Sequence, residues 1–370
     1  MQICTKCVMD TTDLALEFDA KGECSYCQGY DKRIQYHVSK MPKSVDVLIQ
    51  QLREKGNGKP YDCVIGLSGG VDSSYLLHLV AGVWKLRVLA VHVDGGWNTD
   101  EAVSNIHQLV EKLGVELHTI VVDWEEMKDL QCAFLKSGVS NQDTPQDHAF
   151  FAGLYNYSIG KGVYYVLSGS NLASEAVLPK SWEHNPMDLD QLKDIHKKFG
   201  KRPLKSFPRI GFLKANVLIP FFYRFKVIHP LNQVEYDRAK AIQVLHDLYG
   251  WKDYGPKHNE SRFTRFFQNY FLPVRYGYDK RKAHYSSLIL SGTMSRQEAV
   301  DMLKKTAWDE KTIRSEGEYI AKKLGMSYDE LISYINVPKK SHLDYKNHLW
   351  KLNLLHKSLS LARRILRYFR

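Results

Sequence analysis

From residue 63 to residue 168 the chain alternates short apolar runs with amphipathic stretches. Residues 63–67 (CVIGL) form a short apolar run, residues 87–93 (RVLAVHV) a second, buried strand, and residues 116–122 and 163–168 (VYYVLS) a third and a fourth strand. Residues 73–83, 98–113 and 147–159 repeat their apolar positions at helical spacing. Strands alternating with helices predict an α/β fold, a doubly wound parallel sheet with helices on both faces. Right-handed crossovers then bring the loops after every strand to one edge. Beyond about residue 180 the pattern becomes aromatic, basic and mostly helical, broken at Pro186, Pro203, Pro208, Pro220, Pro230, Pro256 and Pro273. The chain therefore divides into residues 1–55, a cysteine knuckle and linker; 56–180, the α/β domain; and 181–370, a mostly helical region for substrate or partner. No internal repeat interrupts this plan.

Charge sharpens the picture once it is located. The net charge of +11 concentrates in two places. Residues 251–282 hold eight basic and three acidic residues, and residues 351–370 hold six basic residues and no acid. A broad nucleic-acid footprint would spread charge over a face; two local clusters suit an anionic small substrate and one surface contact. Residues 351–370 place Leu355, Leu359, Leu366 and Phe369 against Arg363, Arg364, Arg367 and Arg370, a basic amphipathic helix. It suits packing on the body, docking of a partner or, at most, peripheral contact with an anionic membrane. No apolar run reaches about 18 residues, and the N-terminus lacks the pattern of a secretory signal, so a cytoplasmic protein is expected.

The central chemical signal is Ser68, Gly69, Gly70, Val71, Asp72, Ser73 and Ser74 between a strand and a helix. The glycines let backbone approach phosphate oxygens, and N–H groups at the helix start donate to the anion. Ser68, Ser73 and Ser74 add hydroxyls, and Asp72 is placed to hold Mg²⁺ beside the phosphates. No Lys follows the glycines, so this is not the phosphate loop of kinase-like NTPases. It resembles the PP-loop of asparagine, GMP and NAD synthetases and tRNA thiolases, which break ATP between its α- and β-phosphates. That resemblance implies an adenosine site at His92, Asp94 and their neighbours. It also implies a nucleotide-covering turn at Gly169 and Asn171, followed by Glu175 as a second Mg²⁺ ligand.

Four of the six cysteines form Cys4-x-x-Cys7 and Cys24-x-x-Cys27, sixteen residues apart. This is close to the spacing of a four-cysteine zinc ribbon, and four thiolates leave no open position, so a structural Zn²⁺ is expected. Redox or sulfur-transfer use is the rival reading. Cys63 and Cys132 stand alone.

The knuckle, the PP-loop, residues 168–175 (SGSNLASE), residues 251–267 and residues 280–284 (KRKAH) occur in one order. The whole is similar to bacterial N-acetyl sugar amidotransferases of lipopolysaccharide O-antigen and flagellar-glycan biosynthesis, over roughly residues 1–310. The resemblance implies that an N-acetyl group of a nucleotide-activated sugar is adenylated by ATP and that ammonia replaces its oxygen. The product is then an acetamidino sugar, with AMP and pyrophosphate released. Lys257, His258, Arg262 and Arg265 are the candidates to stabilise departing pyrophosphate, with Glu260 a further acid. Asp147, His148, Lys180, Trp182 and, less directly, His184 are candidates for the substrate side. The aromatic residues Trp251, Tyr254, Phe263, Phe266 and Phe267 serve equally as core.

Neither Cys63 in DCVIG nor Cys132 in LQCAF sits on the glycine-flanked elbow of a glutaminase. Ammonia is thus expected from solution or, as the resemblance implies, from separate glutaminase and barrel subunits like those of imidazole-glycerol-phosphate synthase. A tRNA-modifying enzyme, thiolating or lysidine-forming, is the competing expectation. It shares the ATP loop and knuckle but lacks a paired catalytic cysteine here, so no tRNA partner is expected.

Overall fold

The structure, a computed structural model, describes residues 1–368 apart from 180, 256, 258 and 307, with side chains as far as Leu361. Residues 1–24 wrap the cysteines and lead into α1 (Ser25–Gln28), α2 (Tyr30–Val38) and α3 (Val45–Gly56). A five-stranded sheet follows, built from β1 (Cys63–Gly66), β2 (Val88–Asp94), β3 (Glu116–Val121), β4 (Tyr165–Leu167) and β5 (Lys226–Ile228). All pairs are parallel, in the order β3-β2-β1-β4-β5.

Alternation along the strands builds two cores. Val64, Leu89, Val91 and Val93 face α6 (Trp124–Ser137), α7 (Thr144–Gly160) and α9 (Leu189–Phe199). Cys63, Ile65, Val88 and Ala90 face α3, α4 (Val71–Leu77), α5 (Asp100–Leu113) and α10 (Arg238–Tyr249). A two-residue side-chain period on each strand makes this division automatic. Side-chain caps set the helix starts: Thr99 on α5, Asp123 on α6, and Asn171 on the short α8 (Leu172–Glu175).

The sheet runs further along the chain than the boundary expected at residue 180. β5 and α10 belong to the α/β domain, and β5 shows no apolar run because it is a three-residue edge strand with its first two side chains exposed. The helical remainder comprises α11 (Arg262–Phe266), α12 (Leu272–Tyr276), α13 (Lys280–Leu290), α14 (Arg296–Lys304), α15 (Glu310–Leu324), α16 (Tyr328–Ser333) and α17 (Leu349–Tyr368). Phe263, Phe266, Phe267, Phe271 and Leu272 are its core, packed on Ile320, Leu324 and Leu331. It is fastened to the sheet edge: Arg262 N donates to Trp97 O at 2.8 Å and Thr99 N to Glu260 O at 2.9 Å.

After α16 the chain returns to α9. Lys346 N donates to Asp194 at 3.0 Å and His348 N to Asp188 at 2.9 Å. The His342 ring stacks on His184 with centroids 5.0 Å apart. Burial, with His184 beside it, pulls the His342 imidazole down to about 4. The unfolded chain therefore takes up this proton near 6.5 and the folded chain only near 4. Stability should be unaffected by this group above pH 6.5 and fall as pH drops from there toward 4, by on the order of 3 kcal/mol. Melting curves of the parent and His342→Gln across that range check it. The acid loss should shrink in the variant, and an equal loss in both would remove His342 as its source.

Candidate active site

The strand order reverses between β1 and β4, because the chain winds outward to β2 and β3 before returning to β4. The crevice at that switch point is where open parallel sheets bind ligands. Residues 68–74 follow β1 and residues 168–175 follow β4, so the topology sets the two loops side by side. Their contact leaves no room for side chains. A Cβ at Gly169 would lie 2.7 Å from Asp72 C and Ser73 N, and Gly69, at φ +83°, would put one 2.7 Å from Ala102 O. The loop is braced internally: Gly70 N donates to Ser68 Oγ at 3.2 Å, and Ser73 Oγ donates to Gly70 O at 3.2 Å. The next loop, after β5, props the second one. Leu172 N donates to Asn232 Oδ1 at 2.7 Å, and Ser170 Oγ meets His229 Nδ1 at 3.2 Å.

Lys257 reaches into this crevice from residues remote in sequence. Its ammonium lies 2.9 Å from Asp72 Oδ2 and 2.5 Å from Glu175 Oε1, and donates to Ser174 Oγ at 3.0 Å. Burial alone would pull this amine down, but Glu175 and Asp72 outweigh it and hold Lys257 above the ordinary lysine range. The two acids expected to share Mg²⁺ are thus one cation's width apart, and the donor set of two carboxylates suits a hard divalent ion. Around them stand two groups that the sequence pattern does not single out: Tyr236, which donates its hydroxyl to Asp72, and Arg238, which lines the same crevice. Tyr254, one of the aromatics named from the sequence, lies over the loop with its hydroxyl 3.4 Å from Gly69 O. Recognising β5 as a strand would have flagged residues 229–238, since they follow it to the same edge.

On the other flank, His92 contacts Leu67 O through Nδ1 at 2.8 Å and Asn98 through Nε2 at 3.0 Å. Burial keeps it below the ordinary histidine range, hence neutral at pH 7. Asp94 accepts from Gly96 N at 2.8 Å and from Asn98 at 3.0 Å. Asp94 therefore shapes the turn, while His92, Val91 and Val93 line the cavity. Asn171 also shapes its loop, accepting from Ser174 N at 3.0 Å.

A cavity of about 1070 Å³ runs from Ser68 and His92 past Glu175 and Lys257. It continues to Asp147, Glu183, Lys280, Arg281, His284, Tyr285, Lys305 and Trp308. Asp147 is thus on its wall. His148 and Trp182 are not. His148 is buried against Phe207, its Nδ1 2.8 Å from Pro186 O and its Nε2 accepting from Ile210 N. Trp182 is buried under Tyr278 and donates to Thr12 O at 3.2 Å. His184 is held by Asp188 at 2.8 Å. Arg265 also lies away from the cavity, since its guanidinium donates to Glu316 at 2.9 Å alongside that of Arg262 at 2.8 Å. One carboxylate on α15 thereby holds both arginines and ties α11 to α15. Ser74 is buried beneath the loop. His258 and Lys180 lie outside the described residues.

Cys4, Cys7, Cys24 and Cys27 converge with all sulfurs within 4.8 Å of one another. Cys4–Cys27 is 3.7 Å, Cys7–Cys24 3.6 Å and Cys24–Cys27 3.6 Å. A tetrahedron of thiolates at the usual Zn–S length of about 2.3 Å has edges of about 3.8 Å, so this donor set is sized for one metal ion. Lys6 N and Cys7 N both point at Cys4 Sγ at 3.4 Å, as expected around a thiolate.

Comparison with known proteins follows the same division of the chain. A family model described as NAD synthase matches residues 40–202, and one described as the C-terminal domain of LPS biosynthesis protein WbpG-like matches residues 260–357. The second match carries the likeness well past residue 310, where the sequence motifs alone end. An uncharacterized protein of Methanocaldococcus jannaschii, MJ1599, is 29% identical over 127 residues, or 34% of this chain and 44% of that one. The chain thus spans less than half the length of this curated relative. Among solved structures, the NH3-dependent NAD synthetase of Campylobacter jejuni, in complex with the nitrate ion, matches at 18% identity and TM-score 0.29. That match covers 46% of this chain and 72% of the other. The U34-tRNA thiolase NcsA of Methanococcus maripaludis, with its [4Fe-4S] cluster, matches at 15% identity and TM-score 0.34, covering 82% and 88%. With the loop pair at the switch point and the two matched regions in this order, the chain is a PP-loop protein with a C-terminal domain of the WbpG-like lipopolysaccharide-biosynthesis type.

Proposed function

We propose that this protein is an ATP-dependent amidotransferase that converts an N-acetyl group on a nucleotide-activated sugar to an acetamidino group, releasing AMP and pyrophosphate. The observation that carries this reading is a cavity of about 1070 Å³, walled by α13 and α14 of the C-terminal region, that adjoins the phosphate-loop pocket and shares Ser68, Glu175, Arg238 and Lys257 with it. That volume is at the upper end for one small-molecule site and suits ATP with a second substrate. Its far wall carries Lys280, Arg281, His284 and Lys305 with Tyr285 and Trp308, a lining suited to an anionic, nucleotide-linked sugar. An amide oxygen is a weak nucleophile, so the α-phosphate must be presented to it in line and the leaving pyrophosphate neutralised. Arg238 and Lys257 supply positive charge, and the loop N–H groups supply donors. Mg²⁺, held by Asp72 and Glu175, would screen the same oxygens. Ammonia then takes the carbon and the oxygen leaves with AMP.

A tRNA-thiolating reading that works through a persulfide-bearing cysteine needs a reactive thiol near the ATP. Cys63 is buried in β1, Cys132 packs on the α15 side, and among the described residues no cysteine lines the cavity. Burial raises both thiols, that of Cys132 to about 11, so neither is a ready nucleophile at neutral pH. Mass spectrometry on purified protein with ATP, ammonia and a panel of UDP- and CMP-linked N-acetyl sugars tests the proposal. Formation of an amidine with stoichiometric AMP supports it; AMP formed only with bulk tRNA defeats it.

The four-cysteine site is read as structural Zn²⁺, since a four-iron cluster would interpose its own atoms and hold the thiolates further apart. Ammonia is assigned to separate glutaminase and barrel subunits, and the reaction to the cytoplasm. Among the described residues no helix is long and apolar enough to cross a membrane. α17 leaves Trp350, Leu354 and Leu361 largely exposed, so docking of the ammonia-supplying partner is favoured for it over packing. Truncation after Trp350 should leave turnover with free ammonia intact and remove turnover with glutamine and the partner. A truncated chain that no longer folds would assign α17 to packing, and loss of vesicle binding alone would assign it to the membrane.

A further inference from the structure

One stripe of α7 runs along the cavity from the nucleotide end outward. Leu154 packs at Gly66 of β1, where an added Cβ would meet it at 3.0 Å, and Phe150 packs at Gly95 beyond β2, at 3.4 Å in the same sense. Asp147 and Asp143 continue the stripe at the spacing of successive turns, all four lining the cavity. Asp147 is therefore about one turn, roughly 5 Å along the helix axis, beyond the contact that marks the edge of the nucleotide site. The two aspartates are not equivalent. Asp143 accepts from Thr264 Oγ1 at 3.1 Å, Gln146 at 3.3 Å and Gln268 at 3.4 Å, and is held as part of the wall. Among the described residues none donates a hydrogen bond to the Asp147 carboxylate. Across the cavity, Lys280 of α13 faces both aspartates and is paired with Glu183.

We infer that Asp147 is the base that captures ammonium and delivers it as ammonia to the activated amide carbon, with Lys280 positioning it. The inference rests on the amidotransferase reading and supplies a step that reading leaves open. Ammonium has no lone pair, and it predominates over ammonia at neutral pH. Asp147 takes one proton from ammonium, and the freed lone pair forms the C–N bond. The C–O bond to AMP then breaks, with its electron pair remaining on the AMP oxygen. The product stays protonated as an amidinium, the surplus proton leaves with the AMP phosphate, and the proton on Asp147 passes to solvent.

The surroundings tune the group for this work. Burial first, then the neighbouring Asp143, push the Asp147 carboxyl up to about 8, against the opposing pull of Lys280. Burial brings the Lys280 amine down to about 8, although Asp143 and Asp147 oppose that. A base is most effective when its pKa is near the working pH, and an ordinary carboxylate would be too weak to deprotonate ammonium.

Hydroxylamine, largely uncharged at neutral pH, needs no base, and comparing it with ammonia provides the test. In Asp147→Asn, the ratio of turnover with ammonia to turnover with hydroxylamine should fall about 100-fold at pH 7. The parent's rate with ammonia should rise through about pH 8 and level off. The variant's should instead keep climbing with the fraction of free ammonia. An unchanged ratio, through equal losses or none, would overturn the inference, because a structural role for Asp147 would slow both nucleophiles alike. A parent that makes neither amidine nor amidoxime from any N-acetylated nucleotide sugar would instead fail the amidotransferase reading.

Discussion

Asp72→Asn is expected to abolish conversion of ATP to AMP, by at least 10²–10³-fold, while the protein keeps its fold. Asp72 stands at the point where β1 hands over to α4, facing Glu175 across the switch point with Lys257 between them. Its charge does two things at once. It is one of two carboxylates available to Mg²⁺, and it helps to hold the partly buried Lys257 ammonium charged and in place between the two loops. Asparagine preserves shape and still accepts the Tyr236 hydroxyl, so the loss should fall on turnover and not on stability. Far-ultraviolet circular dichroism and a melting temperature near the parent's would establish that the fold survives. AMP formation equal to the parent's would remove Asp72 from the chemistry. Lys257→Met is a companion case: it removes the cation and leaves two acids facing each other, and it should cost a similar factor.

What was readable in the sequence was the part set by near neighbours. β1, β2 and β4 lie in apolar runs, and Ser68–Ser74 lies in an uninterrupted strand–loop–helix. The paired cysteines need only their own spacing. Parallel-sheet logic then correctly put residues 68–74 and 168–175 on one edge. Contacts between distant segments were not readable. Lys257 meets Asp72 185 positions away, and no local pattern separates it from Arg262 and Arg265, which Glu316 captures. A basic run looks the same whether its partner is a phosphate or a carboxylate fifty residues on. His148 and Trp182 occur just where a cleft would begin, yet both turn inward, because the neighbouring backbone and Phe207 or Tyr278 offer them polar partners and ring contact in the core. β5 was invisible for a different reason: an edge strand of three residues with little burial has no pattern to show.

Cys24→Ser is expected to lose about one zinc per chain and to lower the melting temperature sharply, with a loss of sugar-substrate binding following from it. In metal-dependent small domains, binding free energy is folding free energy, on the order of 10 kcal/mol for structural zinc at neutral pH. The knuckle has a core of its own, in which Met9, Tyr26, Val177, Trp182 and Ala283 surround the thiolates, so its order depends on the ion and on α13 together. The coupling to α13 and α14 is specific. Arg296 of α14 donates to Cys7 O and Cys4 O, each at 3.0 Å, while on α13 Ser286 Oγ accepts from Val8 N at 3.2 Å and Lys282 pairs with the buried Asp10. Lys280, Arg281 and His284 lie on the cavity side of that helix, while His284 Nδ1 and Ser291 Oγ reach back to the carbonyls of Ser174 and Ala173. A disordered knuckle would therefore loosen the far wall of the cavity, together with the loop that carries Glu175. Metal analysis, a melting curve and nucleotide-sugar binding by calorimetry make three separate readouts of one change. Iron and sulfide in the purified protein would overturn the zinc reading. A variant that keeps its melting temperature and its affinity would show the knuckle to be an independent appendage, with no hold on α13.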